Sequence, residues 1–167
     1  MKNIVLIGMP GSGKSSVAKI FAQEYLYKYV DSDMEIIKKA KINIPDIFKM
    51  HGENYFRELE SEIIKNIPQD KSLIIALGGG CVTYKKNFTL IKNLGIVIYL
   101  FCRPNKIYKN LMSDKTNSRP LIQNYLSIKK LFSQRYNLYK NTCDYIFDCN
   151  KFLSPKQAAD KLICFVK

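Results

Sequence analysis

The chain has no tryptophan, a single histidine and no pair of cysteines at C-x-x-C spacing. One histidine, His51, cannot by itself build a histidine metal centre or a serine–histidine relay, and it reads as a surface helix residue. The five cysteines, Cys81, Cys102, Cys143, Cys149 and Cys164, are odd in number and mostly sit in or beside apolar stretches. Reduced, buried thiols in a reducing cytoplasm are the simplest account of that pattern. Long apolar runs are missing too. The longest, Ile96 to Cys102, has seven residues, far short of a membrane span, and the apolar stretch before Gly8 is too short for a secretory signal. Arginine is scarce: only four of the 27 basic residues are Arg.

The formal charge is nevertheless +13, from 27 basic and 14 acidic residues. The lysines are scattered, and no basic run exceeds two residues. The excess draws small anions towards the surface, but it forms no nucleic-acid or membrane patch. The 167 residues suit one domain, spanning 1–167, large enough to bury roughly 70% of its unfolded surface without metal or disulfides. Three short segments are almost wholly apolar and rich in branched residues: Ile4 to Ile7, Leu73 to Leu77 and Ile96 to Phe101. Strands apolar on both faces belong to a parallel sheet covered on both sides. Tyr29 to Asp31 and Tyr145 to Phe147 read as shorter strands near the edges. Helical patterns run over 14–25, 34–40, 45–50, 55–66, 84–93, 105–112, 127–139 and 155–165. The alternation predicts an α/β three-layer domain. The polar segment from Ser113 to Asn124 has neither period and reads as a mobile lid or disordered loop.

Gly8-Met9-Pro10-Gly11-Ser12-Gly13-Lys14-Ser15 fits G-x-x-x-x-G-K-[ST], between a buried strand and an amphipathic helix. Its glycines let backbone N–H groups turn inward around phosphate oxygens, and the helix N-terminus adds partial positive charge. Lys14 reaches the β- and γ-phosphates, and the Ser15 hydroxyl is a Mg²⁺ ligand. A GTP switch would need D-x-x-G and N-K-x-D, and neither occurs; Asn105-Lys106-Ile107-Tyr108 lacks the Asp. A motor ATPase would be larger and carry Asp-Glu after an apolar strand, where this chain has Gly78-Gly79-Gly80. A small phosphotransferase suits the length.

Asp31 and Asp33 follow a short strand at i and i+2, so both carboxylates can face one cleft. One can hold Mg²⁺ through water and the other can accept a hydrogen bond from a substrate hydroxyl and act as base. The plainer alternative is that Asp33 caps the helix at Met34. Among the arginines, Arg57 sits near the start of a helix with Glu60 three residues on, placed to hold its stem. Arg119 lies in the polar loop, Arg135 on a helix, and Arg103 has no assigned role. Guanidinium offers a planar fork for carboxylate or phosphate that Lys does not.

The phosphate loop, Asp31-Ser32-Asp33, Gly52-Glu53 with Phe56-Arg57 and Glu60, Gly78-Gly79-Gly80, Arg119-Pro120-Leu121, and Arg135 with Leu138-Tyr139 together resemble the shikimate kinase family, in order and spacing, from Lys2 to the final helix. The resemblance implies a P-loop kinase fold with a central five-stranded parallel sheet, helices on both faces and a mobile lid at about 113–124. It also implies transfer of the ATP γ-phosphate to the 3-hydroxyl of shikimate, with Mg²⁺ as cofactor. By the same resemblance Asp33 binds the reacting hydroxyl and assists its deprotonation, and Asp31 supports Mg²⁺ beside its ligand Ser15. Arg57 and Arg135 clamp the substrate carboxylate. Gly78, Gly79 and Gly80 approach the ring with bare backbone, Gly79 donating an N–H. Gly11, Ser12, Gly13, Lys14, Ser15 and Ser16 hold the nucleotide, and Arg119 joins Lys14 on the transferring phosphoryl. The partners implied are ATP and shikimate, for a monomer with no nucleic acid or membrane. Met112 stands where the family often has an Arg over adenine; Met packs by dispersion alone. A related small-molecule kinase, such as a gluconate kinase, and a nucleotide-binding module without turnover are the competing readings.

Overall fold

The computed structural model describes residues 2–69, 71–113, 124–152 and 154–165. Strands β1 (Ile4–Ile7), β2 (Lys28–Asp31), β3 (Leu73–Ala76), β4 (Ile96–Phe101) and β5 (Tyr145–Asp148) form one sheet in the order β2-β3-β1-β4-β5. Every pairing is parallel. The three apolar segments are the three inner strands, and β1 and β3 are buried at every position. The two mixed segments are the edges, β2 and β5, as their composition predicts.

Helices α1 (Lys14–Tyr25), α2 (Ser32–Ala40), α3 (Ile44–Asn66), α4 (Lys85–Leu94), α5 (Pro104–Ser113), α6 (Tyr125–Thr142) and α7 (Pro155–Leu162) connect and cover the sheet. α1 packs on β3 and against α7, while α4 packs on β4 and against α3 and α6. Ser154 caps α7 through its hydroxyl, with Pro155 in the first turn, as the Ser-Pro pair predicts. Among the described residues no helix is long and apolar enough to cross a membrane.

Of the local expectations, one holds and two are revised. The helices expected at 45–50 and 55–66 are both present: α3 consists of two helical stretches that meet at a kink, where Gly52 (φ 79°, ψ 174°) leaves the helical region. Arg57 stands near the start of the second stretch, as expected. The cap of α2 is Asp31, which accepts from the N–H groups of Asp33 (3.0 Å) and Met34 (3.4 Å); Asp33 lies inside the first turn. Finally, Ser113 ends α5, and Asn124 caps α6 in a reciprocal pair with Ser127. The rest of the expected lid, with Arg119, lies outside the described residues.

A second, smaller apolar cluster sits beside the main core. Ile36 of α2 meets Ile47, Phe56 and Leu59 of α3. This cluster gives the α2–α3 excursion its own support and holds the first turn of α2 and the middle of α3 over the carboxyl ends of the inner strands, where an open parallel sheet places its ligand crevice.

Candidate active site

At one end of the crevice the loop from Gly8 to Ser15 wraps the start of α1. Gly11 (φ 78°) and Gly13 (φ 90°) occupy the left-handed region that favours glycine. The Lys14 ammonium is buried and donates to the carbonyls of Gly8 and Met9, each at 2.9 Å. The Ser12 hydroxyl, also buried in the loop, has no hydrogen-bond partner. From the α5 side, Asn110 donates to the Gly11 carbonyl at 2.8 Å. The Ser15 hydroxyl donates to Asp31 Oδ2 at 2.7 Å, and the Tyr29 hydroxyl donates to the same oxygen at 2.7 Å. Burial, then the Asp31 hydrogen bond, drives the Tyr29 hydroxyl well above its usual range, so it remains a donor. Asp31 is thus fixed by groups from α1, β2 and α2 at once.

At the other end the groups are side chains, and most are buried. Arg57 and Arg135 are each 6% exposed, and Glu60 is fully buried. Arg57 Nη1 donates to Glu60 Oε2 at 2.8 Å, and its Nη2 and Nε donate to Glu53 Oε1 at 3.0 and 3.3 Å. Its guanidinium also lies 5.1 Å from the centre of the Phe56 ring. Burial opposes the charge on Arg57, yet Glu60 and Glu53 hold its pKa above the ordinary value. Burial also pushes the Glu60 carboxyl up to about 7, against the pull of Arg57, and the Asp33 charge adds to the rise. Glu60 Oε1 has no hydrogen-bond partner.

The three consecutive glycines bring these groups together. A methyl added at Gly78 would lie 2.6 Å from Asp33 Oδ1 and 2.8 Å from Glu60 Oε1. One added at Gly80 would lie 2.4 Å from Arg57 Nη2. Between them, the Gly79 carbonyl accepts from Arg135 Nη1 at 3.2 Å and from the Tyr139 hydroxyl. The Gly78 N–H is held by the Ser32 hydroxyl at 2.8 Å, tying the segment to α2. A methyl at Gly79 would stand 2.6 Å from the ring of Pro10, so the glycine segment lies directly on the phosphate loop. Beneath the cleft, the fully buried Cys81 thiol is pushed up by burial and then by the Glu60 charge, and it also feels Lys14, Arg57 and Asp33.

Asp33, Arg57 and Arg135, chosen from separate stretches of sequence, therefore surround one short segment next to Lys14. The sequence assigned no contact to Glu60 Oε1, Tyr139 or Tyr29. Tyr139 stood in a motif without a role, and Tyr29 was named only as part of the short strand that ends at Asp31. Lys106 and Phe152, which border the hollow beyond the phosphate loop, carry no local signal. Met112, by contrast, is 55% exposed and does not line that hollow.

A phosphate-wrapping loop that faces buried guanidinium groups across the carboxyl edge of a parallel sheet puts the chain in the class of P-loop kinases, the ATP-dependent phosphotransferases. A family model for shikimate kinase matches residues 10–167. Shikimate kinase from Caldicellulosiruptor saccharolyticus is 39% identical over 166 residues, covering 98% of this chain and 94% of the relative. The enzyme from Thermodesulfovibrio yellowstonii is also 39% identical with the same coverage. Among solved structures, shikimate kinase from Acinetobacter baumannii in complex with shikimate superposes with a TM-score of 0.91 at 31% identity, covering 99% of this chain and 93% of that one. The chain belongs to the shikimate kinase family.

Proposed function

We propose that the protein transfers the γ-phosphoryl group of ATP to the 3-hydroxyl of shikimate, yielding shikimate 3-phosphate and ADP. The observation that carries the reading is the meeting of Asp33, Arg135 and Arg57 on Gly78, Gly79 and Gly80, one residue each, beside the phosphate loop. Two cationic forks suit an anionic acid, and a carboxylate suits a hydroxyl. Asp33 accepts the hydrogen bond of the reacting hydroxyl and takes up its proton as the bond to phosphorus forms. Arg57 and Arg135 bind the substrate carboxylate, and the bare glycine backbone lets the ring approach, with the Gly79 N–H as a donor. Gly11, Ser12, Gly13 and Ser16 line the phosphate end with backbone and hydroxyl donors. Lys14 then exchanges its loop carbonyls for phosphate oxygens. Arg119 completes the charge on the transferring group.

Ser15 and Asp31 fit magnesium by chemistry: a hydroxyl and a carboxylate oxygen at the mouth of the loop are hard donors. Among the described residues no cluster of three or more His, Cys, Asp or Glu side chains could hold a metal, which suits an ion completed by phosphate and water. Magnesium, when bound there, offsets the charge of the β- and γ-phosphates. One chain supplies every group in this scheme, as befits a monomer built as one unit. All five cysteines are free, which suits the reducing cytoplasm.

The test is ADP release coupled to a reporter, with shikimate and a panel of sugar acids offered in turn. Release that depends on shikimate is the expected result. Release with a sugar acid and not with shikimate would replace the acceptor, and no release with either would leave a nucleotide-binding module.

A further inference from the structure

The glycine segment runs directly into a 3-10 turn, Cys81–Thr83, and the two are bonded to each other. The N–H of Cys81 donates to the Gly78 carbonyl at 3.1 Å, and that of Thr83 donates to the Gly80 carbonyl at 3.0 Å. Whatever holds the turn therefore holds the glycines. Asn87, in the first turn of α4 and fully buried, donates from Nδ2 to the Cys81 carbonyl at 2.9 Å. Its Oδ1 lies 2.6 Å from the hydroxyl of Ser61, a buried residue one turn beyond Arg57 on α3. The same hydroxyl is 2.9 Å from the Arg57 carbonyl. A backbone carbonyl only accepts, so the amide nitrogen faces Cys81 and the amide oxygen faces Ser61. Two oxygens at 2.6 Å need a hydrogen between them, and here only the hydroxyl carries one. Ser61 thus donates to Asn87, and Asn87 donates to Cys81.

This relay joins the two walls of the acceptor end. One wall is the glycine segment, and the other is the helix that carries Arg57. The ion pairs of Arg57 run to Glu53 and Glu60, which lie on the same helix. They fix the guanidinium relative to α3 but not α3 relative to the glycines. The fit across that gap is close, since a methyl at Gly80 would strike the Arg57 guanidinium. We propose that Asn87 is a positioning residue for the acceptor: through Ser61 and the Cys81 carbonyl it sets the gap between the Arg57 guanidinium and the Gly80 backbone. The role rests on shikimate being the acid held there. Fully buried, Asn87 has no surface to offer a ligand, so it acts only through the groups it joins. An amide suits the task, because one rigid plane carries a donor for the carbonyl and an acceptor for the hydroxyl. A buried network whose members are all paired stiffens what it connects.

The experiment titrates the whole protein with shikimate and with ADP by calorimetry and records its melting temperature. Asn87→Leu, which keeps the volume and removes both polar atoms, is expected to weaken shikimate by about tenfold and leave ADP within about twofold. The KM for shikimate should rise in step, with the KM for ATP unmoved. Ser61→Ala is expected to shift shikimate in the same direction, and Ser61→Thr, which returns a hydroxyl, to restore most of the loss. Ile91→Val, a buried change on the same helix, serves as the control: it should lower the melting temperature and alter neither affinity. If Asn87→Leu does not fold, the Ser61 pair decides through the same titrations. Unchanged shikimate binding, equal weakening of both ligands, or a matching loss of shikimate in Ile91→Val overturns the proposal. Failure of the phosphotransfer reading looks different: the wild-type protein itself would then bind ADP but not shikimate.

Discussion

The two ends of the crevice are built by opposite means. The phosphate end is made mostly of backbone: a glycine loop, a helix start, and a lysine folded back onto loop carbonyls. The acceptor end is made of buried side chains held by one another, with Arg57 fixed by Glu60 and Glu53 and with Arg135 fixed on a glycine carbonyl. Backbone donors suit a ligand whose oxygens are alike from every side. A small acid with one carboxylate and several hydroxyls needs groups of fixed direction, and burial of an ion pair fixes direction at the cost of desolvation. Changes at one end should therefore leave the other end's ligand bound.

The largest effect is expected where the ends meet in the reaction. Arg119→Ala should lower turnover by roughly 10³- to 10⁵-fold while calorimetry finds ADP and shikimate still bound; a variant within tenfold of wild type removes Arg119 from the transfer. Asp33→Asn should lower turnover by roughly 10²- to 10⁴-fold with ADP affinity intact, and loss of ADP binding would erase the division between the ends. Arg57→Lys keeps the charge but loses the fork. Shikimate should bind about 1.5–3 kcal/mol more weakly with the KM for ATP unmoved, and an unchanged shikimate affinity would mean that the clamp lies elsewhere.

The smallest effect is a pH signature of the acceptor end. Burial raises Glu60 from 4.5 to about 7, so the folded state holds this proton more tightly than the unfolded chain. Its contribution to stability is fully present below about pH 4.5 and is lost as pH rises through about 7. The melting temperature of the wild type should thus fall more between about pH 5 and about pH 8 than that of Glu60→Gln. Equal slopes would show that Glu60 is ionised throughout.

Strand identity was legible because burial on both faces writes a continuous apolar run: β1 and β4 match the sequence reading end to end, and β3 differs only at Leu77. The break inside α3 was legible because Gly52 interrupts the apolar period, and the structure puts a kink with non-helical backbone at that residue. The Arg57–Glu60 pair was legible as neighbours three apart on a helix. Arg135 on Gly79 spans 56 residues, and Lys106 on Cys149 spans 43, and no local period records contacts that only the strand order creates.

Pro10 resting on Gly79 joins the floors of the two ends into one surface. The spacing between donor phosphorus and acceptor oxygen is thereby gauged by a single proline ring against a bare α-carbon, with no joint between them. Bulk gained at position 79 has to be surrendered at position 10, so these two loops, far apart in sequence, are bound to change in step.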